Sequence, residues 1–184
     1  GYLSNYELAF PILEKYNMKA TIFIIGSSVG KSFYRDTDYP IIPHFDYEQA
    51  REMVDSGLVS IQSHTYDMHR WQPFEKGAAR TSILKLEKED ENDYIRVLKE
   101  DFLKSSAEIC ENLGIHVDSL AFPNGQYDIL SQAVLTDLGV RVTLSVERGI
   151  NTVIKGLPQS LYAMKRLNMN ESIDTDKLLE ALCS

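Results

Sequence analysis

The sequence predicts an α/β fold, a distorted or incomplete (β/α) barrel formed as a single domain over residues 1–184. Short β-branched and aromatic runs alternate with amphipathic stretches of helical period, the pattern of βα units on a mostly parallel sheet. Gly57, Gly114 and Gly139 each close a helical stretch just ahead of an apolar run. A length of 184 residues, 43% of them hydrophobic, suffices for one substantial core and is short for two ordinary domains.

Taken in order, Ser4 followed by Glu7 has the spacing of a capping box, which predicts a helix running through Leu8, Leu13 and Tyr16. Pro11 either kinks that helix or moves its start later. Residues 20–25 (ATIFII), closed by Gly26, predict a strand buried on both faces, followed by a long loop to His44. Asp46 is placed to cap a helix carrying Ala50, Met53 and Val54, and residues 58–62 follow as a second strand. From Met68 to Asn92 the chain is polar and aperiodic, which predicts an excursion over the surface. Apolar residues at Tyr94, Ile95, Leu98, Phe102, Leu103, Ile109 and Leu113 predict a helix over 93–113. Residues 120–122 read as a third strand, 128–138 as a helix and 140–146 as a fourth strand. A last strand is expected around 161–167, then a terminal helix over 173–182 capped by Ser172 or Asp174.

Composition narrows the function. A formal charge of −8 and a pI near 5.0 disfavour a polyanionic partner, since nucleic-acid affinity is mostly phosphate neutralisation by Lys and Arg. A neutral or cationic ligand suits the chain better, and no apolar run is long enough to span a membrane. The two cysteines, Cys110 and Cys183, lie far apart and suggest no metal site.

Chemistry concentrates in residues 63–69, Ser-His-Thr-Tyr-Asp-Met-His, directly after a predicted strand. Imidazole is the commonest neutral metal ligand, and a strand's C-terminal end is where barrel enzymes carry their sites. A spacing of five would turn the two rings roughly 140° apart on a helix, so His64 and His69 converge only if the segment is a turn or loop. By itself the pair fits either metal binding or surface roles. Asp67 fits either a partner that orients a histidine or a cap for the following backbone. Pro123-Asn124-Gly125 has the composition of a tight turn, and Tyr66 and Trp71 fit either packing or stacking on a sugar ring. Arg80 and the charged run 85–93 read as solvated, and His44 and His116 as loop residues without a function.

His64-Thr65 and His69 after a strand resemble the histidine motif of the polysaccharide deacetylases, carbohydrate esterases acting on chitin, peptidoglycan and poly-N-acetylglucosamine. The wide spacing, with Asp67 between, is closest to the poly-N-acetylglucosamine branch. Residues 20–23 (ATIF) are similar to that family's early strand and residues 121–125 (AFPNG) to its third motif. The resemblance implies a barrel of the polysaccharide deacetylase type and an N-deacetylase of an extracellular or cell-envelope polysaccharide. It implies a divalent metal, Zn foremost with Co or Ni as alternatives, held by His64 and His69. It also implies an oxyanion contact from the backbone N–H of Asn124, and a substrate-facing turn at Pro123 and Gly125.

Departures from the family pattern matter as well. The family's aspartate pair, one base and one metal ligand, precedes the first helix, where this chain opens with Gly1-Tyr2. The expectation is that both aspartates and the first strand lie upstream of Gly1, so that residues 1–184 alone are inactive. Ala121 stands where many members carry Arg, which is compatible with the poly-N-acetylglucosamine branch, and no histidine near residues 161–169 matches the family's general acid. A non-catalytic carbohydrate-binding relative is the alternative.

Overall fold

The computed structural model describes residues 1–75, 79–169 and 173–183. Four strands, β1 (Ala20–Ile24), β2 (Val59–Ser63), β3 (Ser119–Ala121) and β4 (Val142–Leu144), form one parallel sheet in the order β1-β2-β3-β4. Helices α2 (Tyr47–Asp55), α3 (Glu91–Leu113) and α4 (Ile129–Asp137) make the successive crossovers. The sheet runs open from β1 to β4, which is the incomplete barrel expected. The segment after β4 adds only an isolated parallel bridge, Leu144 to Met164, where a full strand was expected over 161–167. Thr143 explains the short pairing. Its carbonyl takes the Met164 N–H at 2.7 Å and its hydroxyl takes the Ala163 N–H at 2.7 Å, and Ala163 adopts φ 50°, which breaks an extended run.

Local chemistry accounts for most boundaries. Asp46 and Asp128 cap α2 and α4 through full capping boxes with Gln49 and Ser131, and Asp90 caps α3. Gly114 ends α3 in the left-handed conformation. At the N-terminus the expected box does not form. Ser4 is already helical, and a capping hydroxyl needs an extended backbone to reach the following amides. A π-helical turn (Asn5–Ala9) runs into α1 (Phe10–Tyr16), and Pro11 lies just past that turn without starting or stopping the helix. The last helix is α5 (Thr175–Cys183); of its two expected caps, Ser172 lies outside the described residues.

Burial corrects three expectations. Among the described residues β1 pairs with β2, and Thr21 is exposed, so the strand is not covered on both faces. On α3 the buried stripe is Tyr94, Leu98, Phe102, Ser105 and Ile109, whereas Leu103, one residue off the stripe, is 53% exposed. Among the described residues of 68–92, the stretch is pinned to the core at a few points while 71–73 and most of 85–92 stay exposed. Met68 and Ile83 are buried, the Tyr94 hydroxyl donates to the Ile83 carbonyl at 2.9 Å, and Arg80 is paired with Glu89 under cover instead of being solvated. Within β2, the buried Gln62 accepts the N–H groups of Asp118 and Ser119 at 3.1 and 3.0 Å, locking β2 to the start of β3.

Candidate active site

The C-terminal ends of β1, β2, β3 and β4 lead into Gly26, His64, Phe122 and Ser145, and ligands in open parallel sheets bind at that edge. His64 is seated by two strands at once. Its N–H donates to the Ile24 carbonyl at 2.8 Å, and its Nδ1 lies 2.6 Å from the Ala121 carbonyl. A carbonyl can only accept, so Nδ1 carries the proton and Nε2 keeps its lone pair. The chain then reverses. Thr65 takes φ 72°, its N–H donates to the Ser63 hydroxyl at 3.0 Å, and its own hydroxyl accepts the Met68 N–H at 3.2 Å. Thr65 is thus a local backbone partner, and buried Met68 anchors the far side of the turn.

This reversal brings the His69 ring back to His64, with ring centres 5.2 Å apart and planes at 81°. Two imidazoles sharing one tetrahedral cation, with nitrogens about 2.1 Å from it, would have ring centres roughly 5 Å apart. The pair therefore fits a shared cation. The Thr81 backbone bears on His69, raising its pKa against the stronger lowering by burial, while the Ala121 carbonyl fixes one nitrogen of His64, as outer partners of metal-ligating imidazoles usually do. Burial pushes His64 down to about 4, against the raising effect of the Ala121 carbonyl, and burial also lowers His69. Both rings are neutral near pH 7, the form that binds metal. Among the described residues no third His, Cys, Asp or Glu joins them in a three-ligand group.

Beside the pair lies the turn Pro123–Gly125. Its backbone bonds run from Gly125 N–H to Phe122 O and from Gln126 N–H to Pro123 O, while Asn124 sits at φ 54° with its side-chain amide donating to the Thr81 carbonyl at 3.0 Å. The Thr81 backbone thus bonds Asn124 and bears on the pKa of His69. Gly125 at φ 66° allows close approach: a Cβ there would lie 2.4 Å from Val146 Cγ2.

The remaining sequence candidates have defined surroundings. Tyr66 packs on Gly26, where a Cβ would lie 2.5 Å from its Cδ2, and carries the Lys104 ammonium 3.9 Å over its ring. Trp71 is 57% exposed and meets Phe74 edge-on at 5.2 Å, and Phe74 also stacks on Tyr39 at 4.3 Å. Asp67 neither orients a histidine nor caps the following backbone. Its carboxylate is taken by Arg35 at 2.9 Å and Arg70 at 2.8 Å.

Sequence reasoning missed Asp101 on α3, which accepts the N–H groups of Tyr66 and Asp67 at 2.8 and 2.7 Å, between the two histidines. It also missed Arg166, whose Nε donates to the Ser145 carbonyl at 2.6 Å and whose charge bears on His64. Neither carries a motif, because both act through main-chain partners remote in sequence.

The model of the polysaccharide deacetylase family matches residues 1–143. This chain belongs to the polysaccharide deacetylase family. It is 30% identical over 142 residues to the poly-β-1,6-N-acetyl-D-glucosamine N-deacetylase of Staphylococcus aureus, covering 77% of this chain and 43% of that protein. The chain thus spans under half the length of that curated relative. Among solved structures, the BpsB deacetylase domain from Bordetella bronchiseptica superposes with a TM-score of 0.72 at 25% identity, over 90% of this chain and 67% of that one. IcaB from Ammonifex degensii gives 0.76 at 24% identity, over 100% and 70%, a likeness of fold.

Proposed function

We propose that this chain carries the metal-binding and oxyanion-binding parts of a divalent-metal-dependent N-deacetylase. Its substrate would be an N-acetylated polysaccharide of the cell envelope or extracellular matrix, in the manner of the poly-N-acetylglucosamine relative. The observation that supports this most is the His64–His69 pair, two neutral imidazoles with ring centres 5.2 Å apart, with the Nδ1 of His64 taken by the Ala121 carbonyl. Zn suits such nitrogen donors first, with Co and Ni as substitutes. A bound divalent cation would acidify a water and polarise the acetamide carbonyl. His64 and His69 hold that ion as neutral ligands. The Asn124 N–H donates to the oxyanion as the acetamide carbon becomes tetrahedral, and Pro123 and Gly125 hold the turn that aims it. Trp71 offers an exposed ring for a sugar, whereas the Tyr66 ring is covered by Lys104 and packed on Gly26.

The base and the third ligand are assigned to aspartates upstream of Gly1. On this reading residues 1–184 alone are inactive, since general-base catalysis is worth about 10²–10⁴-fold. The test is acetate release from N-acetylglucosamine oligomers by residues 1–184, by a form extended upstream, and by its His64→Ala variant. Only the extended form should be active, and chelator should silence it; activity that survives chelator or His64→Ala ends the metal reading. The two-imidazole set lacking a third ligand among the described residues also fits a non-catalytic carbohydrate binder. Upstream codons for residues other than aspartate would favour that alternative.

A further inference from the structure

The turn that carries the two histidines is gripped from one face of α3. Asp101 accepts the amides of Tyr66 at 2.8 Å and Asp67 at 2.7 Å, Lys104 covers the Tyr66 ring at 3.9 Å, and the buried Ser105 hydroxyl meets that of Ser63 at 2.9 Å. The spacing 101, 104, 105 puts all three on one side of the helix. Ser63 in turn accepts the Thr65 N–H, so the hold extends through the start of the reversal. On the outer side, Arg35 and Arg70 take the Asp67 carboxylate.

Of the contacts from α3, that of Asp101 reaches the backbone between His64 and His69 directly, while the Gly26 and Ser27 N–H groups donate to the Thr65 and Tyr66 carbonyls at 3.1 and 2.9 Å. The two Asp101 oxygens satisfy two successive amides whose direction sets the path of the chain from one ring to the other. A lysine over a ring can slide, and a hydroxyl pair fixes only the turn's first residue. We propose that Asp101 is a positioning residue of the His64–His69 centre, a carboxylate that sets the separation of the two imidazoles by holding the Tyr66 and Asp67 amides. The proposal rests on the reading that the pair shares one cation, and it deepens that reading by naming what keeps the pair in register.

Asp101→Asn keeps the shape but turns one acceptor into an NH2 group that cannot accept an amide hydrogen; Asp101→Ala removes both acceptors. Co2+ titration of the 184-residue chain, followed by calorimetry and by NMR of the imidazole signals, reads the effect, with circular dichroism as the check on folding. The expected result is a folded Asp101→Asn protein whose Co2+ affinity falls by about 10–100-fold, the range for outer partners of metal ligands. Contact between the His64 and His69 ring protons should weaken, and the Tyr66 and Asp67 amides should exchange faster. A variant that binds Co2+ as the wild type does, or is merely less heat-stable at unchanged affinity, overturns the proposal. Should the wild type itself bind no Co2+, the shared-cation reading fails, and the ring-to-ring contact in the metal-free proteins decides the role of Asp101. Loss of that contact in both variants supports positioning; retention overturns it.

Discussion

His64 shows how little freedom a functional side chain has once two strands claim it. Its ring lies between a carbonyl of β3 and the His69 edge, and burial drives its pKa to about 4. An NMR titration should find His64 neutral to below pH 5; a midpoint between 6 and 7 would contradict the buried geometry. Asp101 behaves in the opposite sense. Burial raises its carboxyl to about 6 against the lowering effect of the Tyr66 and Asp67 amides. A raised carboxyl stabilises the fold below its unfolded pKa, and that contribution is lost as pH rises through about 6. The stability of wild type minus that of Asp101→Asn, from urea unfolding, should therefore fall between pH 4 and pH 7, by about 3 kcal/mol at most. A flat or rising difference would show that the carboxyl titrates normally. Asn124 is a third case. Its left-handed backbone suits Asn or Gly and its side-chain bond to Thr81 needs Asn, so Asn124→Ala should cost about 1–3 kcal/mol in thermal or chemical unfolding.

At the scale of elements, the site is assembled where strands end and loops press together. Gly125 brings the Pro123–Gly125 turn against Val146, just past β4, with 2.7 Å between a would-be Cβ and the Val146 N–H nitrogen. Gly125→Ala should therefore move backbone rather than a side chain. Destabilisation of about 1–3 kcal/mol and weaker activity of the extended enzyme are expected; unchanged unfolding would mean the turn yields freely. The helices read easily from sequence because amphipathic period and caps are local, as Asp46, Asp128 and Gly114 show. Ser4 misled for the same reason. Its spacing to Glu7 is a local signal, but the helix had already begun and its hydroxyl had no amide to meet. The excursion 68–92 misled because what holds it, Tyr94 to Ile83 and Arg80 to Glu89, depends on α3 lying alongside.

Over the whole molecule, the −8 charge disfavours a polyanionic partner. A mobility-shift assay with duplex DNA at physiological salt should show no binding; retention would undercut the charge argument. The sequence by itself determined the alternation of strands and helices, the placement of His64 and His69 after a strand, and the turn at Pro123–Gly125, because periodicity, caps and turn residues act within a few positions. Tertiary structure alone decided that the rings meet 5.2 Å apart, that Asp67 belongs to two arginines, and that Asp101 holds the turn. The rings meet only because the chain reverses at Thr65, Asp67 meets Arg35 across 32 positions, and Asp101 acts on backbone amides 34 and 35 positions away, which carry no residue-specific mark in the sequence.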